Sequence, residues 1–212
     1  MSWPPAMSAM KRHFALLVLT VASVAASADS LQQRLVAAAL SQVGITTRYD
    51  GSYRRLSYPG GDVPLEIGVC TDVVIRAYRG LGIDLQVLVH EDMKRAWSAY
   101  PRRWALRQPD PNIDHRRVPN LAAFFARHGT ALQPGRNASS YVAGDLVTWE
   151  LPGRLPHIGI VSTRPGPNGP LIVHNIGSGA REEDILFRYP ITGHYRFFPA
   201  STASQPQPPV GD

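Results

Sequence analysis

The chain has 212 residues, 44% hydrophobic and 18% charged, with 22 Lys and Arg against 16 Asp and Glu for a formal net charge of +6. That length supports one domain with a real core. The positive charge is mild and scattered, which excludes the dense basic stripe of a nucleic-acid binder.

The N-terminal segment reads as a signal peptide. Lys11, Arg12 and His13 form a basic region, Phe14 to Val24 is almost wholly apolar, and Ala26-Ser27-Ala28 fits the small-x-small cleavage rule. The apolar run is too short to cross a bilayer, and no later stretch is apolar for long enough. Residues 1–28 are expected to be removed, leaving a periplasmic or secreted protein with no stable membrane insertion. Two positive charges and no acid go with them, so +6 falls to +4. The mature domain is expected over 29–199. The Ser-, Gln- and Pro-rich end, 200–212, reads as a disordered tail.

Ser30 caps an expected helix over Leu31–Val43, which Gly44 ends. Residues 46–69 are irregular, with a turn signal at Pro59-Gly60-Gly61-Asp62. A second helix is expected over Cys70–Arg79, with Val73, Val74, Ala77 and Tyr78 on one stripe, and a third over His90–Tyr100. The polar run from Arg102 to Val118 reads as a long loop. Pro119 opens a short helix over Asn120–His128, closed by Gly129.

After Pro134 the pattern changes to short strands at 144–149, 157–162, 171–176 and 193–197. Short connections favour an antiparallel meander, and helices followed by strands make an α+β domain.

Cys70 is the only cysteine. In an exported chain it has no internal disulfide partner, so it is either buried filler or a nucleophile. A helix start would lower its thiol pKa. A nucleophile also needs a base, and the base an orienting group. His157 and His174 are the candidates for these roles: strand alternation permits both on one face of neighbouring antiparallel strands without deciding it, and Gly159 leaves room for a side chain to approach. Asn175 is the rival orienter. Asp72, in the first helical turn, is expected to serve the helix dipole or cap; its functional alternatives are binding an amine of a peptide substrate or pairing with an arginine such as Arg116. If functional, Arg116 would suit a substrate carboxylate.

These residues resemble the NlpC-type papain-like cysteine peptidases of bacterial cell walls. The shared order is Tyr-x-x-Gly, then Cys, then Gly-Asp-Leu-Val, His-x-Gly-Ile-Val, and a final His. In that group a tyrosine lies about twelve residues before the cysteine, matched by Tyr58. The usual Asp-Cys-Ser-Gly is replaced here by Val69-Cys70-Thr71-Asp72. Gly-Val-Cys-Thr-Asp, His-Ile-Gly-Ile-Val and His-Asn-Ile-Gly together resemble more closely a branch of exported bacterial proteins known as a domain of unknown function.

The resemblance implies a papain-like NlpC-type fold over about residues 31–198, with the Cys70 helix packed on an antiparallel sheet. It implies a monomeric thiol hydrolase that needs no cofactor and cleaves an amide bond in peptidoglycan stem peptides or related cell-wall peptides. Cys70, His157 and His174 would be catalytic, with Tyr58 near the oxyanion or substrate. Two other readings stand beside it. One is a non-catalytic envelope-binding module on the same fold. The other is a zinc site from Cys70, His157, His174 and His194, although the close-paired ligand spacing of zinc sites is missing.

Overall fold

The computed structural model describes residues 1, 31–102 and 107–199. The expected signal peptide and C-terminal tail lie outside the described residues, as do residues 103–106 of the expected loop.

Helix α1 covers residues 31–40 and ends in turns. Two short strands follow, β1 (Arg48–Tyr49) and β2 (Ile67–Gly68), paired in parallel with Tyr49 opposite Gly68. Helix α2 occupies Cys70–Arg79, as the sequence predicts. Its surroundings are richer than one apolar stripe implies, since Cys70 to Tyr78 are all buried, including Thr71, Asp72 and Arg76. Arg76 shows how a buried charge is accommodated. Its guanidinium pairs with Asp62 at 2.9 and 3.1 Å and donates to Thr46 Oγ1 and to the carbonyls of Val63 and Ile67. These bonds fix the loop that delivers β2 to the helix start.

Helix α3 spans Leu85–Arg95, earlier than the expected 90–100. Asp84 caps it by accepting the Gln86 N–H at 2.9 Å, and Leu85, Val89 and Met93 bury a four-residue repeat. A short 3₁₀ turn at Asp114–Arg116 interrupts the expected loop before helix α4 (Val118–His128), which carries proline in its first turn.

Among the described residues, six strands form one antiparallel sheet. They are β3 (Thr130–Leu132), β4 (Leu146–Leu151), β5 (Leu155–Gly166), β6 (Gly169–His174), β7 (Arg181–Glu183) and β8 (Ile191–Arg196), in spatial order β3-β8-β4-β5-β6-β7. β4 to β6 make the expected meander. β8 returns beside β4, and β3 and β7 extend the edges. The domain is α+β.

Alternation sorts the core into two layers. Leu146, Ile158, Ile160 and Val173 pack with the helices, against Leu35, Val73, Tyr78, Leu121 and Phe125. Val147, Trp149, Val161 and Ile172 pack on the other face with Tyr141, Ile185 and Leu186. Each fully buried side chain of this size contributes about 1.5–3 kcal/mol. Tyr78 adds a buried hydrogen bond of 2.8 Å to the Phe197 carbonyl, which ties α2 to the strand end after β8.

Candidate active site

Cys70 is the first residue of α2 and is buried. The preceding residue, Val69, has no polar side chain with which to cap the helix. Instead, the Asp72 carboxylate reaches back and accepts the Val69 N–H at 2.7 Å, half of a capping box. The same carboxylate takes a bidentate pair from Arg116, at 2.8 and 2.9 Å, with both side chains almost wholly buried. Arg116 also donates to the carbonyls of Ser52 and Asp50, and its own carbonyl accepts from Thr71 Oγ1. The cap and the arginine pairing anticipated for Asp72 are therefore filled at once, and its buried carboxylate is not presented to a substrate amine. Arg116 is consumed in holding three segments around the helix start and is not presented to a substrate carboxylate.

The start of β5 meets the start of α2. The Ile158 N–H lies against the Cys70 sulfur, which places His157 one residue away. His157 Nε2 is 3.0 Å from His174 Nδ1, the rings meeting edge to face, and Trp149 packs against the imidazole from the neighbouring strand. His174 Nε2 is 3.0 Å from the Glu183 carboxylate on β7. Gly159 makes this approach possible. A Cβ there would meet Ile172 Cγ2 at 2.5 Å and His174 Cβ at 3.1 Å. No hydrogen bond joins the Cys70 sulfur to either imidazole.

The chain of contacts fixes both tautomers. A carboxylate only accepts, so His174 carries its proton on Nε2 and accepts at Nδ1. His157 then donates from Nε2 and keeps the lone pair on Nδ1. Both rings are neutral. Burial first, and His174 second, hold His157 down to about 3, and burial lowers His174 despite the opposing pull of Glu183.

The expectation of a helix-lowered thiol pKa does not hold. Burial pushes Cys70 up to about 12, and the Asp72 carboxylate adds to the rise. The N–H groups of Ile158, Thr71 and Cys70 itself work the other way and are outweighed. The resting pair is thiol and neutral imidazole, an arrangement suited to general-base activation of the thiol rather than to a standing ion pair.

One assignment from the sequence is corrected. Tyr58 is not at the cysteine; its hydroxyl donates to Glu91 at 3.0 Å and its ring packs on His90. The tyrosine beside Cys70 is Tyr49, brought there by the β1–β2 pairing. Burial, with Cys70 and Asp72 next, raises its hydroxyl to about 12, so it remains a protonated donor. Asn175 does not orient His157, because its amide donates to the Gly68 carbonyl at 3.0 Å and anchors β2. Sequence reasoning missed Glu183. The available signal was Arg181-Glu182-Glu183 following the Gly177-Ser178-Gly179 turn, a strand returning along His174.

The zinc set does not assemble. His194 is bonded to Asp145 at 2.7 Å and stacked on Tyr141. Among the described residues, no group of three or more His, Cys, Asp or Glu side chains is arranged to hold a metal ion. Nor is any helix among them long and apolar enough to cross a membrane.

Cys70 opens onto a cleft of about 370 Å³, also lined by Tyr49, Tyr53, Arg117 and Pro156. The chain is 55% identical, over 161 residues, to "Uncharacterized protein YijF" of Escherichia coli (strain K12), a match covering 76% of this chain and 78% of that protein. Residues 36–197 match the family described as "Domain of unknown function (DUF1287)", and they contain the whole Cys70–His157–His174–Glu183 arrangement. The chain belongs to the DUF1287 family.

Proposed function

We propose that this protein is an exported thiol hydrolase of the NlpC-type, papain-like kind, which cleaves an amide bond in peptidoglycan stem peptides or related cell-wall peptides. The observation that carries the reading is the Glu183–His174–His157 relay, which leaves an unprotonated Nδ1 on the residue next to the one whose N–H meets the Cys70 sulfur.

In the proposed reaction, substrate binding brings the Cys70 thiol onto His157 Nδ1, a contact that tightens in the Michaelis complex. His157 takes the thiol proton as sulfur bonds to the carbonyl carbon. The developing oxyanion is held by the Cys70 N–H, with the Tyr49 hydroxyl as the candidate second donor. His157 returns the proton to the leaving amine as the C–N bond breaks. Water, deprotonated by the same imidazole, then hydrolyses the thioester and restores the thiol. His174 and Glu183 hold the imidazole and stabilise its protonated form.

The test is incubation of purified peptidoglycan fragments with wild type and Cys70→Ala, followed by mass spectrometry. Wild type should produce shortened peptides and Cys70→Ala none. Equal cleavage by the variant would remove Cys70 as nucleophile. One observation favours a second reading, a binding module on the same fold: the thiol is only 4% exposed and raised in pKa. Fragment binding without cleavage by wild type would establish it.

A further inference from the structure

The cysteine cleft does not end at Cys70. A second cavity of about 270 Å³ shares Val118, Pro119 and Pro156 with it and extends over β4, the β4–β5 turn and β8. The shared residues form a ridge between two lobes of one trough. The near lobe holds the nucleophile. The far lobe is lined by Thr148, Glu150, Arg154 and Thr192, among others.

Glu150 and Arg154 are opposite charges on one wall, both exposed, and neither makes an ion pair among the described residues. They are not paired with each other. A lobe offering one acid and one base fits a ligand carrying both signs. The backbone gives a second indication. Arg154 has φ +61°, directly after Gly153 at +79°. This tight turn favours Gly or Asn at such positions, and a long β-carbon-bearing side chain there costs about 1 kcal/mol. A side chain held in such a conformation is a pointer to a functional role.

We infer that the far lobe binds a zwitterionic end of a peptide substrate, with Glu150 taking a free ammonium and Arg154 a free carboxylate. The inference rests on the wall-peptide hydrolase reading and adds a substrate class to it. The site selects peptides whose charged amino-acid end lies across the Val118–Pro119–Pro156 ridge from the scissile carbonyl.

The experiment measures kcat/KM of the full chain on soluble muropeptides in three forms: untreated, amine-acetylated and carboxyl-amidated. Either modification should lower kcat/KM about tenfold, the scale of one partly exposed charge-assisted hydrogen bond. Glu150→Gln should lose about tenfold on untreated muropeptides and little more on acetylated ones. Arg154→Gly should behave likewise toward amidated ones, while its melting temperature holds or rises as the turn relaxes. Wild-type kcat/KM in both variants on untreated muropeptides, or equal losses on blocked and unblocked forms, would overturn the inference and leave the hydrolase reading intact. Absence of any cleavage by wild type would overturn both.

Discussion

The neutral resting pair makes a quantitative prediction about Cys70. Burial lifts its thiol from 9.0 to about 12. Three pH units cut the thiolate fraction at pH 7 by about a thousandfold relative to a free cysteine. A more basic thiolate is also intrinsically more nucleophilic, and a Brønsted slope of about 0.4–0.5 returns a factor of about 20. The net alkylation rate should therefore be about fifty times slower than for free cysteine at pH 7, before any steric hindrance from the buried position. It should keep rising beyond pH 10 with no plateau. The assay is iodoacetamide labelling from pH 5 to 11, read by intact mass. With one cysteine in the chain, each added mass reports the same sulfur. A plateau below pH 8.5, or a pH 7 rate above that of free cysteine, would refute the neutral pair and show a standing thiolate–imidazolium instead. His157 would then be charged at rest.

Three further outcomes follow from the same contacts. Asp72→Ala leaves the buried Arg116 guanidinium without its carboxylate and should cost about 3–5 kcal/mol, with the Asp50 and Ser52 carbonyls keeping it near the lower figure. Calorimetry should show a fall in Tm of about 10 °C, and a shift under about 2 °C would contradict the role given to the pair. Glu183→Gln removes the charge that polarises His174. It should lower kcat about tenfold with KM unchanged, the modest size reflecting a carboxylate 38% exposed. Stability should fall on acidification. His157 folds neutral, held to about 3, while the unfolded imidazole protonates near 6.5, so stability is lost progressively below 6.5. By pH 4 this amounts to about 3 kcal/mol from His157 alone. His115, held to about 4 chiefly by burial, acts in the same direction, while Asp114, raised to about 6 by burial, opposes it. Urea unfolding at pH 7 and pH 4 should show the loss reduced in His157→Gln; an equal loss in the variant would rule out His157 as its source.

What the sequence made legible is what alternation and helix boundaries control. Strand parity permits His157 and His174 to share a face, the β5–β6 register with Ile160 opposite Val173 puts them there, and Gly159 between them is the residue whose missing Cβ lets the rings meet. Cys70 opens α2 because an irregular, Gly-bearing stretch precedes it and ten residues of helical pattern follow. Non-local pairing was not legible. Tyr58 and Tyr49 both precede Cys70 in an irregular region, and only a two-residue parallel bridge to Ile67–Gly68 decides which reaches the thiol. Asn175 and His174 are adjacent, so alternation turns them to opposite faces, but it does not give Asn175 its distant partner, the Gly68 carbonyl.

The same limit explains why the expected effect of the helix start on the thiol failed. The positive end of a helix acts locally and can be read from position. Desolvation depends on everything packed around the group, and here it is the larger of the two. Asp72, the acid that follows Cys70, adds to the rise. The acid is instead committed to Arg116 and to the helix cap, where its charge is compensated. In the proposed exported hydrolase, a nucleophile held as a buried thiol resists oxidation, since the thiolate is the reactive form. Activation then falls to His157, whose free Nδ1 is set by a carboxylate two residues away in the relay. On this reasoning reactivity is switched on by the substrate that closes the cleft, and Glu183→Gln should depress turnover while leaving iodoacetamide labelling of the resting thiol unchanged. Slower labelling in that variant would show that the relay already acts on Cys70 before substrate arrives.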